Sequence, residues 1–411
     1  MARIVQKFGG TSVADVERIK HAALRVKREV DAGHEIAVVV SAMAGVTNRM
    51  VELTSQISSM FDAREYDAVV ATGEQANAGL MALALQDLGV QSRSWLGWQI
   101  PIRTDGAHGK ARIQGIETDE LSRRMAAGEV PVVAGFQGLG PDNRITTIGR
   151  GGSDTSAVAL AGALKADRCD IYTDVDGIYT TDPRIVPKAR KLEQITYEEM
   201  LEMASLGAKV LQTRSVELAM NLRVPVQVRS TFVDDPGTFV VSEDKIVEQQ
   251  VVSGISYSRD EAKITLLRAA DQPGVAANIF GPLADANINV DMIVQNVSED
   301  GKATDLTFTV ASGDLDAAVR LLEGAKNDLQ CEKLIADSGV VKVSVVGVGM
   351  RSHAGVAKTM FTALAEKGIN IQVISTSEIK VSVLVSEDYL ELALRALHTA
   401  FGLDDSPKEE S

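Results

Sequence analysis

The sequence is poor in cysteine, histidine and aromatic residues. Its two cysteines, Cys169 and Cys331, lie far apart and form no CxxC pair, so we expect free buried thiols and exclude a disulfide-scaffold protein. None of the five histidines shares a motif with a second ligand type at metal-binding spacing. We therefore predict no transition-metal site at His21, His34, His108, His353 or His398.

Long apolar runs and an excess of positive charge are also missing. No run of ~18 uncharged apolar residues occurs, and the first seven residues lack the apolar stretch of a secretory signal. Forty-two Lys and Arg residues against 56 Asp and Glu residues give a net charge of −14, which disfavours nucleic acid or an anionic membrane as a partner. We expect a cytoplasmic protein with neither partner, which must hold any phosphate locally.

The composition that remains is typical of a globular protein of roughly two to three domains. Hydrophobic residues make up 45% and charged residues 24% of the 411 positions. As far as about residue 245, short β-branched runs alternate with helical patterns, which predicts an α/β fold with a mainly parallel sheet. The predicted strands are 3–7, 35–41, 131–134, 168–173 and 225–229. The predicted helices, after a first one that follows residue 15, are 67–88, 153–165 and 197–220.

The last third of the chain contains an internal repeat. Residues 273–294 align with residues 354–375 at a constant offset of 81, and 9 of the 22 positions are identical. Each copy predicts a strand, a helix, two strands and a second helix. The first copy is closed by a strand at 331–336, and we expect the missing strand of the second copy at 251–257, upstream of the first. The predicted domains are 1–245, then 262–337, then 250–261 with 340–403 nested around the first copy, and a polar tail at 404–411.

Two glycines lie between the first predicted strand and the first predicted helix, in Lys7-Phe8-Gly9-Gly10-Thr11-Ser12. Because glycine has no Cβ, backbone N–H groups can approach an anion there, and a helix N-terminus favours negative charge. The segment is therefore a candidate phosphate cradle with Lys7 beside it. The alternative is a tight turn capped by Thr11 or Ser12, and the segment matches neither the P-loop nor the GxGxxG fingerprint.

A second glycine loop, residues 148–156, precedes an alanine-rich helix. Arg150 can bind a carboxylate through its forked guanidinium, while Ser153 and the loop amides offer neutral donors. The alternative for Asp154 is an ordinary helix N-cap. A third stretch, residues 172–184, follows a predicted strand, and open α/β sheets bind ligands at the carboxyl ends of their strands. The alternative for this stretch is a solvated acidic loop. A calcium-binding EF-hand is rejected, because the spacing of the residues does not fit one.

Four motifs occur in order along the chain. They are KFGGTSV at 7–13, SAMAGVTN at 41–48, GRGGSD at 149–154 and YTDVDG at 172–177. With them, the chain closely resembles the aspartate kinase family over essentially its whole length. The resemblance implies an amino-acid-kinase domain, a three-layer sandwich around a mainly parallel sheet, followed by two ferredoxin-like βαββαβ modules called ACT domains. The repeat at offset 81 agrees with the two modules.

The resemblance further implies that ATP, with Mg²⁺, phosphorylates the side-chain carboxylate of L-aspartate, as the first step toward lysine, threonine and methionine. A carboxylate is already a nucleophile, so such an enzyme needs positioning and charge neutralisation more than a strong base. By resemblance, the catalytic residues are Lys7 and Asp154. The implied substrate-binding residues are Ser41, Thr47, Glu74, Phe136, Arg150, Gly151, Gly152 and Ser153. The implied ATP-binding residues are Lys7, Phe8, Gly9, Gly10, Thr173, Asp174, Tyr179, Arg184, Lys209 and Val210.

The two ACT modules imply allosteric feedback inhibition by lysine, threonine or both. The residues implied in effector binding are Asp271, Gly274, Ala276, Ala277, Asn289, Val290, Asp291, Gln295, Val356, Ala357, Asn370, Ile371, Ser377 and Glu378. The alternative is that these loops only connect strand and helix. Edge strands of such modules can pair with another chain, so we also expect a homo-oligomer assembled through them.

Two other functions stay open. The first is a kinase of the same fold that acts on glutamate, N-acetylglutamate or carbamate, which is disfavoured because Arg150 and Glu74 offer partners for both ends of a free amino acid. The second is a non-catalytic regulator that binds amino acids on a degenerate kinase body. Retention of Lys7, Asp154 and Asp174 disfavours this second function.

Overall fold

The computed structural model of the chain describes residues 1–206, 210–246, 251–298, 303–324 and 331–404. These residues form two compact units. The first comprises Met1–Ile178, Lys191–Ala204 and the described part of Lys209–Glu248. The second comprises Tyr179–Arg190 and the described parts of Ser205–Ala208 and Gln249–Ser411. Within the described ranges, no helix is long and apolar enough to cross a lipid bilayer.

The first unit is built on strands that form two sheets. Its strands are β1 Arg3–Phe8, β2 Glu35–Val40, β3 Ser92–Trp95, β4 Ile102–Thr104, β5 Ile113–Ile116, β6 Val130–Ala134, β7 Gln137–Leu139, β8 Ile145–Thr147, β9 Arg168–Thr173, β10 Gln194–Thr196, β11 Val226–Ser230 and β12 Thr238–Val241. The main sheet has the order β10-β12-β11-β9-β1-β2-β6-β3, and all its neighbours are parallel except β11 and β12. A smaller sheet has the order β5-β4-β7-β8. The predicted α/β class with a mainly parallel sheet is confirmed.

Helices cover both faces of the main sheet. They are α1 Val16–Asp31, α2 Val46–Ile57, α3 Ala63–Val70, α4 Thr72–Asp87, α5 Asp119–Ala126, α6 Gly152–Ala163, α7 Tyr197–Ser205 and α8 Thr213–Leu222. The side chain of Asp15 caps α1, and Ile19 and Val26 of this helix lie in one core cluster with Ile4 and Phe8 of β1. Because side chains alternate along a strand, Lys7, the neighbour of Phe8, points to the opposite face of the sheet, where it contacts Asp154 of α6.

Two predicted helices are each divided. The helix predicted at 67–88 is α3 followed by α4, and the Thr72 hydroxyl donates to the Val69 carbonyl at 2.7 Å where they meet. The division lets Gly73 approach a neighbouring segment closely, because a Cβ at Gly73 would lie 2.7 Å from the Cβ of Ala42. The helix predicted at 197–220 is α7 followed by α8, and residues 207–209 between them lie outside the described part.

The second unit contains two antiparallel four-stranded sheets, each with helices. Its strands are β13 Gly254–Ser258, β14 Ala262–Ala270, β15 Val290–Val297, β16 Ala303–Val310, β17 Lys333–Asp337, β18 Val340–Val346, β19 Val373–Thr376 and β20 Lys380–Ser386. Its helices are α9 Val275–Asp285, α10 Leu315–Gly324, α11 Val356–Glu366 and α12 Leu390–Ala400. The sheets have the orders β15-β16-β14-β17 and β13-β18-β20-β19. β13, upstream of the first repeat copy, therefore completes the sheet of the second copy, while the exact module boundaries stay predictions.

The segment Tyr179–Arg190 differs from the prediction, which placed it in the domain 1–245. Val186 is buried in the core of the second repeat copy. The Ile255 N–H donates to the Thr180 carbonyl at 2.7 Å, so the segment also extends the backbone hydrogen bonding of that copy. Hydrophobic burial and hydrogen bonding therefore join it to the second unit.

A buried histidine fixes the same segment to the end of the described chain. His398 is fully buried, with its Nε2 2.8 Å from the Thr180 hydroxyl and its Nδ1 2.6 Å from Asp404 Oδ1. Asp404 was predicted to begin a polar tail, but its side chain is held in this network. Residues 405–411 of the predicted tail lie outside the described part.

Candidate active site

The predicted phosphate cradle lies at the carboxyl end of β1. The Gly9 N–H donates to the Tyr172 carbonyl at 3.1 Å, and a 3₁₀ turn, Gly10–Val13, follows directly. A Cβ at Gly10 would lie 3.0 Å from the Ala42 carbonyl oxygen. The absence of a side chain at Gly10 therefore lets the cradle pack directly on the segment that follows β2.

The structure joins the two predicted catalytic residues in a buried ion pair. The Lys7 ammonium contacts Asp154 Oδ1, and the two residues are only 8% and 7% exposed. Asp154 is the third residue of α6, and the N-cap of that helix is Gly151, so the alternative reading of Asp154 as an N-cap is wrong. The carboxylate instead holds the ammonium at the strand end, because a buried charge is costly unless it is paired.

Glycines give the Arg150 loop its shape. Gly149 and Gly151 have φ angles of +88° and +70°, and a Cβ at Gly151 would overlap the side chain of Gln212. Arg150 itself is exposed, and within the described residues no hydrogen bond or ion pair engages its guanidinium. The loop therefore presents a charged fork that is available to a ligand carboxylate.

The start of α6 packs against the end of β6, which explains two of the predicted substrate positions. Ser153 is buried beside Gly135, where a Cβ would lie 2.9 Å from the Ser153 hydroxyl. Phe136 follows with a φ of +67°, and its ring would lie 2.9 Å from a Cβ at Gly152. Phe136 and Gly152 therefore require this close packing, and Ser153 lies where both segments meet.

Glu74 is a buried carboxylate with one oxygen unused. It is 4% exposed; Oε1 accepts from the Ala42 N–H at 3.1 Å, and Oε2 has no hydrogen-bond partner in the described part of the chain. Burial raises the pKa of Glu74 to about 7, although the hydrogen bond from Ala42 favours the ionised form. A carboxylate with a free buried oxygen is suited to a cationic ligand group.

Sequence analysis missed Asn77, which lies one helical turn after Glu74. Its side-chain amide donates to the Ser41 carbonyl at 2.7 Å, and its own Oδ1 is buried without a partner in the described chain. The predicted residue Ser41 is thereby fixed directly after β2, whereas Thr47 lies in the first turn of α2. The signal for Asn77 was the i, i+3 spacing from Glu74, which puts both on one helical face.

Three of the ten predicted ATP-binding residues, Lys7, Gly9 and Gly10, belong to the cradle described above, and the other seven divide into three groups. Thr173 is the last residue of β9, which is parallel to β1, and its hydroxyl donates to Oδ1 of the following residue, Asp174, at 3.1 Å. The side chain of Phe8 is fully buried and stacks on Tyr172 with ring centroids 4.8 Å apart, so its role in ATP binding stays a prediction for the backbone alone. Its ring belongs to the core, so only its backbone is left to face a ligand.

The third group is not brought to the cradle by any described contact. Tyr179 and Arg184 belong to the second unit, where the exposed Arg184 forms an ion pair with Asp182 at 2.7 Å. Val210 precedes α8, and Lys209 lies outside the described residues. Nucleotide binding by these four residues stays a prediction.

In the second unit, six of the fourteen predicted effector residues lie at two equivalent helix starts, and the other eight lie on or beside strands β15 and β19. Gly274 and Gly355 cap α9 and α11 with φ angles of +95° and +106°. Val356 is buried, so its side chain belongs to the core rather than to a binding surface. The residues that lie partly or fully exposed are Asp271, Ala276, Ala277, Asn289, Val290, Asp291, Gln295, Ala357, Asn370, Ile371, Ser377 and Glu378.

Asp291 also has a structural partner. Its Oδ2 accepts from the Lys342 ammonium at 2.8 Å, and Lys342 pairs in addition with Glu261 at 2.6 Å. Burial raises the pKa of Asp291, but the hydrogen bond and charge of Lys342 outweigh it and lower the pKa overall. Asp291 thus links β15 of one ACT-like sheet to β18 of the other, in addition to any role in effector binding.

Family models match most of the chain. Residues 2–230 match the amino acid kinase family, and residues 263–327 and 343–401 each match the ACT domain. The aspartate kinase of Stutzerimonas stutzeri is 57% identical over 405 residues, 98% of both chains. An aspartokinase of Pseudomonas aeruginosa is 56% identical over 98% of both chains, and aspartokinase 2 of Bacillus subtilis is 48% identical over 99% of both.

Solved structures give the same result. Escherichia coli aspartokinase III in complex with aspartate and ADP matches with a TM-score of 0.78 at 27% identity, over 97% of this chain and 99% of that chain. The same enzyme in complex with lysine and aspartate matches with a TM-score of 0.76 at 28% identity, over the same shares of the two chains. The predicted family is confirmed: this chain belongs to the aspartate kinases and consists of an amino acid kinase domain followed by two ACT domains.

Proposed function

We propose that the chain transfers the γ-phosphoryl group of ATP to the side-chain carboxylate of L-aspartate, forming 4-phospho-L-aspartate and ADP. The proposal rests chiefly on the buried Lys7–Asp154 pair at the carboxyl end of β1. Asp154 lies four residues after Arg150, whose guanidinium has no partner in the described chain. Open α/β sheets bind ligands at this edge. The E. coli relative that was crystallised with aspartate and ADP supports both substrates.

In this reaction a carboxylate oxygen of aspartate attacks the γ-phosphorus, and the bond from that phosphorus to the β,γ-bridging oxygen breaks. Because the nucleophile is already ionised, the protein needs no general base for this step. The Lys7 ammonium, with the Gly10 amide beside it, neutralises charge on the transferred group, whereas the Gly9 amide is engaged by the Tyr172 carbonyl. Asp154 keeps the ammonium in place.

The remaining residues bind aspartate at its two ends. Arg150 pairs with the α-carboxylate through two N–H groups, and the free oxygen of Glu74 accepts from the ammonium. Ser41, Thr47 and Ser153 orient the reacting carboxylate. Holding both ends of aspartate fixes the direction in which its side-chain carboxylate approaches the γ-phosphorus. This is the contribution to catalysis that we expect from positioning.

The site suits Mg²⁺ bound together with ATP. Proteins usually hold Mg²⁺ with one or two carboxylates plus substrate phosphates, and Asp174 is an exposed carboxylate at the end of β9. No group of three or more His, Cys, Asp or Glu side chains in the described ranges could hold a metal by itself, which fits a metal that arrives with the nucleotide. Bound there, Mg²⁺ would neutralise phosphate charge, and Asp174 would hold it.

We further propose feedback inhibition by lysine, threonine or both through the ACT domains, with a homo-oligomer formed by the same domains in the cytoplasm. The E. coli relative crystallised with lysine and aspartate supports lysine as an effector. The pathway then starts from the phosphorylated aspartate and leads to lysine, threonine and methionine. Turnover measured with lysine and threonine singly and together tests the choice of effector, and sedimentation measures the assembly.

The activity itself is tested by trapping the acyl phosphate. Purified protein is incubated with ATP, Mg²⁺ and hydroxylamine, and hydroxamate formation is compared for aspartate, glutamate and N-acetylglutamate. We expect hydroxamate from aspartate alone, because with both ends held by Arg150 and Glu74 the longer side chain of glutamate would place its carboxylate elsewhere, and N-acetylglutamate has no free ammonium. Hydroxamate from glutamate in preference to aspartate, or none from any acid, would contradict the proposal.

A further inference from the structure

A buried carboxylate outside the residues used above collects hydrogen bonds from two distant segments. Asp67 of α3 is fully buried, and its oxygens accept from the Thr147 hydroxyl at 2.5 Å and the Thr147 N–H at 3.0 Å. The Gly109 N–H donates to both oxygens at 3.1 Å, and His108 Nδ1 lies 2.7 Å away. Thr147 and Gly109 are donors to this carboxylate, and His108 is able to donate to it as well.

These contacts hold the base of the Arg150 loop. Thr147 is the last residue of β8, and Arg150 follows it by three residues. A Cβ at Gly149 would lie 3.3 Å from the Gly109 carbonyl oxygen, so the turn anchored by Asp67 lies directly against the loop. The position of Asp67 therefore sets where the loop leaves β8.

A second anchor ties the same two segments together. The guanidinium of Arg214 donates to the Ile148 carbonyl and to the Ala111 carbonyl, both at 2.7 Å. Asp67 and Arg214 thus hold the chain on both sides of the turn and immediately before Gly149. The Arg150 side chain is left as the only part of this loop segment that projects without a partner in the described chain.

The phenol of Tyr66, next to Asp67 on α3, is influenced by the charges of both Asp67 and Arg150. Burial raises the pKa of Tyr66, the charge of Asp67 raises it further, and the charge of Arg150 lowers it. Tyr66 therefore experiences both charges.

We propose that Asp67 is a positioning residue for Arg150: by clamping Thr147 and the 108–109 turn, it aims the guanidinium at the α-carboxylate of bound aspartate. The proposal rests on the proposed function, because it assigns that carboxylate to Arg150. A bidentate pair requires the fork to be placed within about 0.5 Å. A displacement of ~1 Å costs up to roughly a hundredfold.

The first test replaces Asp67, and in a control a second aspartate residue of the protein, and compares the steady-state kinetics of the two variants. Asp67→Asn puts an amide NH₂ among hydrogen-bond donors, and we expect the KM for aspartate to rise about tenfold while the KM for ATP stays within about twofold. The matched control is Asp31→Asn, at an exposed carboxylate at the end of α1 that pairs with Lys27 and lies outside both anchored segments. A lower kcat for Asp67→Asn with an unchanged KM for aspartate would overturn the proposal.

The second test is a double-mutant cycle with Arg150→Ala. If Asp67 acts through Arg150, Asp67→Asn adds little to the KM for aspartate once the guanidinium is gone. Additive effects would show that Asp67 acts elsewhere and would overturn the proposal. An Arg150→Ala variant with an unchanged KM for aspartate would overturn both the carboxylate role of Arg150 and its positioning, whereas hydroxamate formation tests the proposed reaction separately.

A milder variant covers the case in which Asp67→Asn fails to fold. His108→Leu removes the imidazole without supplying another donor and leaves the carboxylate with Thr147 and Gly109. We expect the KM for aspartate to rise about two- to threefold, with a thermal unfolding midpoint near that of the parent. A lower midpoint with no change in this KM would assign the cluster to stability alone and contradict the proposal.

Discussion

Replacing Glu74 by glutamine should stabilise the protein and impair its binding of aspartate. Glu74 is 4% exposed with one oxygen unpartnered in the described chain, and burial raises its pKa to about 7 from an ordinary value of 4.5. Glutamine has nearly the same shape and keeps a carbonyl oxygen for the Ala42 N–H. It never ionises, so it removes the cost of a buried charge.

The magnitude follows from the two pKa values. In the unfolded chain Glu74 ionises near pH 4.5, whereas in the ligand-free folded protein it stays protonated until about pH 7. The stability that Glu74 contributes is therefore complete below the unfolded pKa and is lost as the pH rises through the folded pKa. The whole loss is roughly 3 kcal/mol. Glu74→Gln avoids this loss, so its advantage over the parent grows with pH across this window.

The assay is urea unfolding of ligand-free protein at about pH 5.5 and about pH 8, with Glu52→Gln as the control. Glu52 is a half-exposed carboxylate on α2 that pairs only with Arg49 among described residues. We expect Glu74→Gln to gain roughly 2 kcal/mol on the parent between the two pH values, and Glu52→Gln to gain nothing. The KM for aspartate should rise about tenfold or more, because a charged hydrogen bond to the ammonium is lost.

Two results would refute this reasoning. A Glu74→Gln variant no more stable than the parent at about pH 8 would mean that the carboxylate is not held at a cost. An unchanged KM for aspartate would mean that its free oxygen does not face the substrate ammonium. The two readouts are independent, so each part can fail alone.

Two further predictions concern the second unit. Thr180→Val should lower the unfolding free energy of this unit by about 1–3 kcal/mol, because His398 Nε2 loses its buried partner. The control, Thr181→Val, removes a buried hydroxyl without a partner in the described chain and should change this free energy by less than about 0.5 kcal/mol. Equal losses for the two variants in urea unfolding would contradict the role assigned to Thr180. Asp291→Ala should leave uninhibited turnover near normal and weaken inhibition by lysine or threonine, since it breaks the ion pair with Lys342; lost turnover with inhibition intact would contradict it.

The sequence predicted the central sheet and the glycine loops because their signals are local. A continuous apolar run such as 35–41 is typical of a strand buried on both faces, and β2 occupies 35–40. The repeat at offset 81 likewise reflects two copies of one fold that are aligned without a gap. Patterns of apolar residues predict such elements reliably, because each helix or strand is stabilised largely by the apolar face that it buries.

Contacts between distant segments could not be predicted in the same way. Nothing local links Lys7 to Asp154, and the resemblance supplied that role. The Asp67 cluster joins residues up to 80 positions apart and contains no recognisable motif. The segment 179–190 was assigned to the first domain by its place in the sequence, yet its buried valine belongs to another core. Tertiary burial decided each of these cases.

The most direct test of the account is the rate of aspartyl hydroxamate formation by Lys7→Met relative to Lys20→Met. Lys20 is an exposed lysine of α1 that pairs with Glu17, so its loss serves as the control. We predict that Lys7→Met lowers kcat by roughly 10² to 10⁴ with little change in the KM for aspartate, as expected for the loss of a transition-state charge stabiliser, and that Lys20→Met matches the parent. A Lys7→Met enzyme that keeps the kcat of the control would contradict the claim that the Lys7 ammonium stabilises the charge of the transferred phosphoryl group.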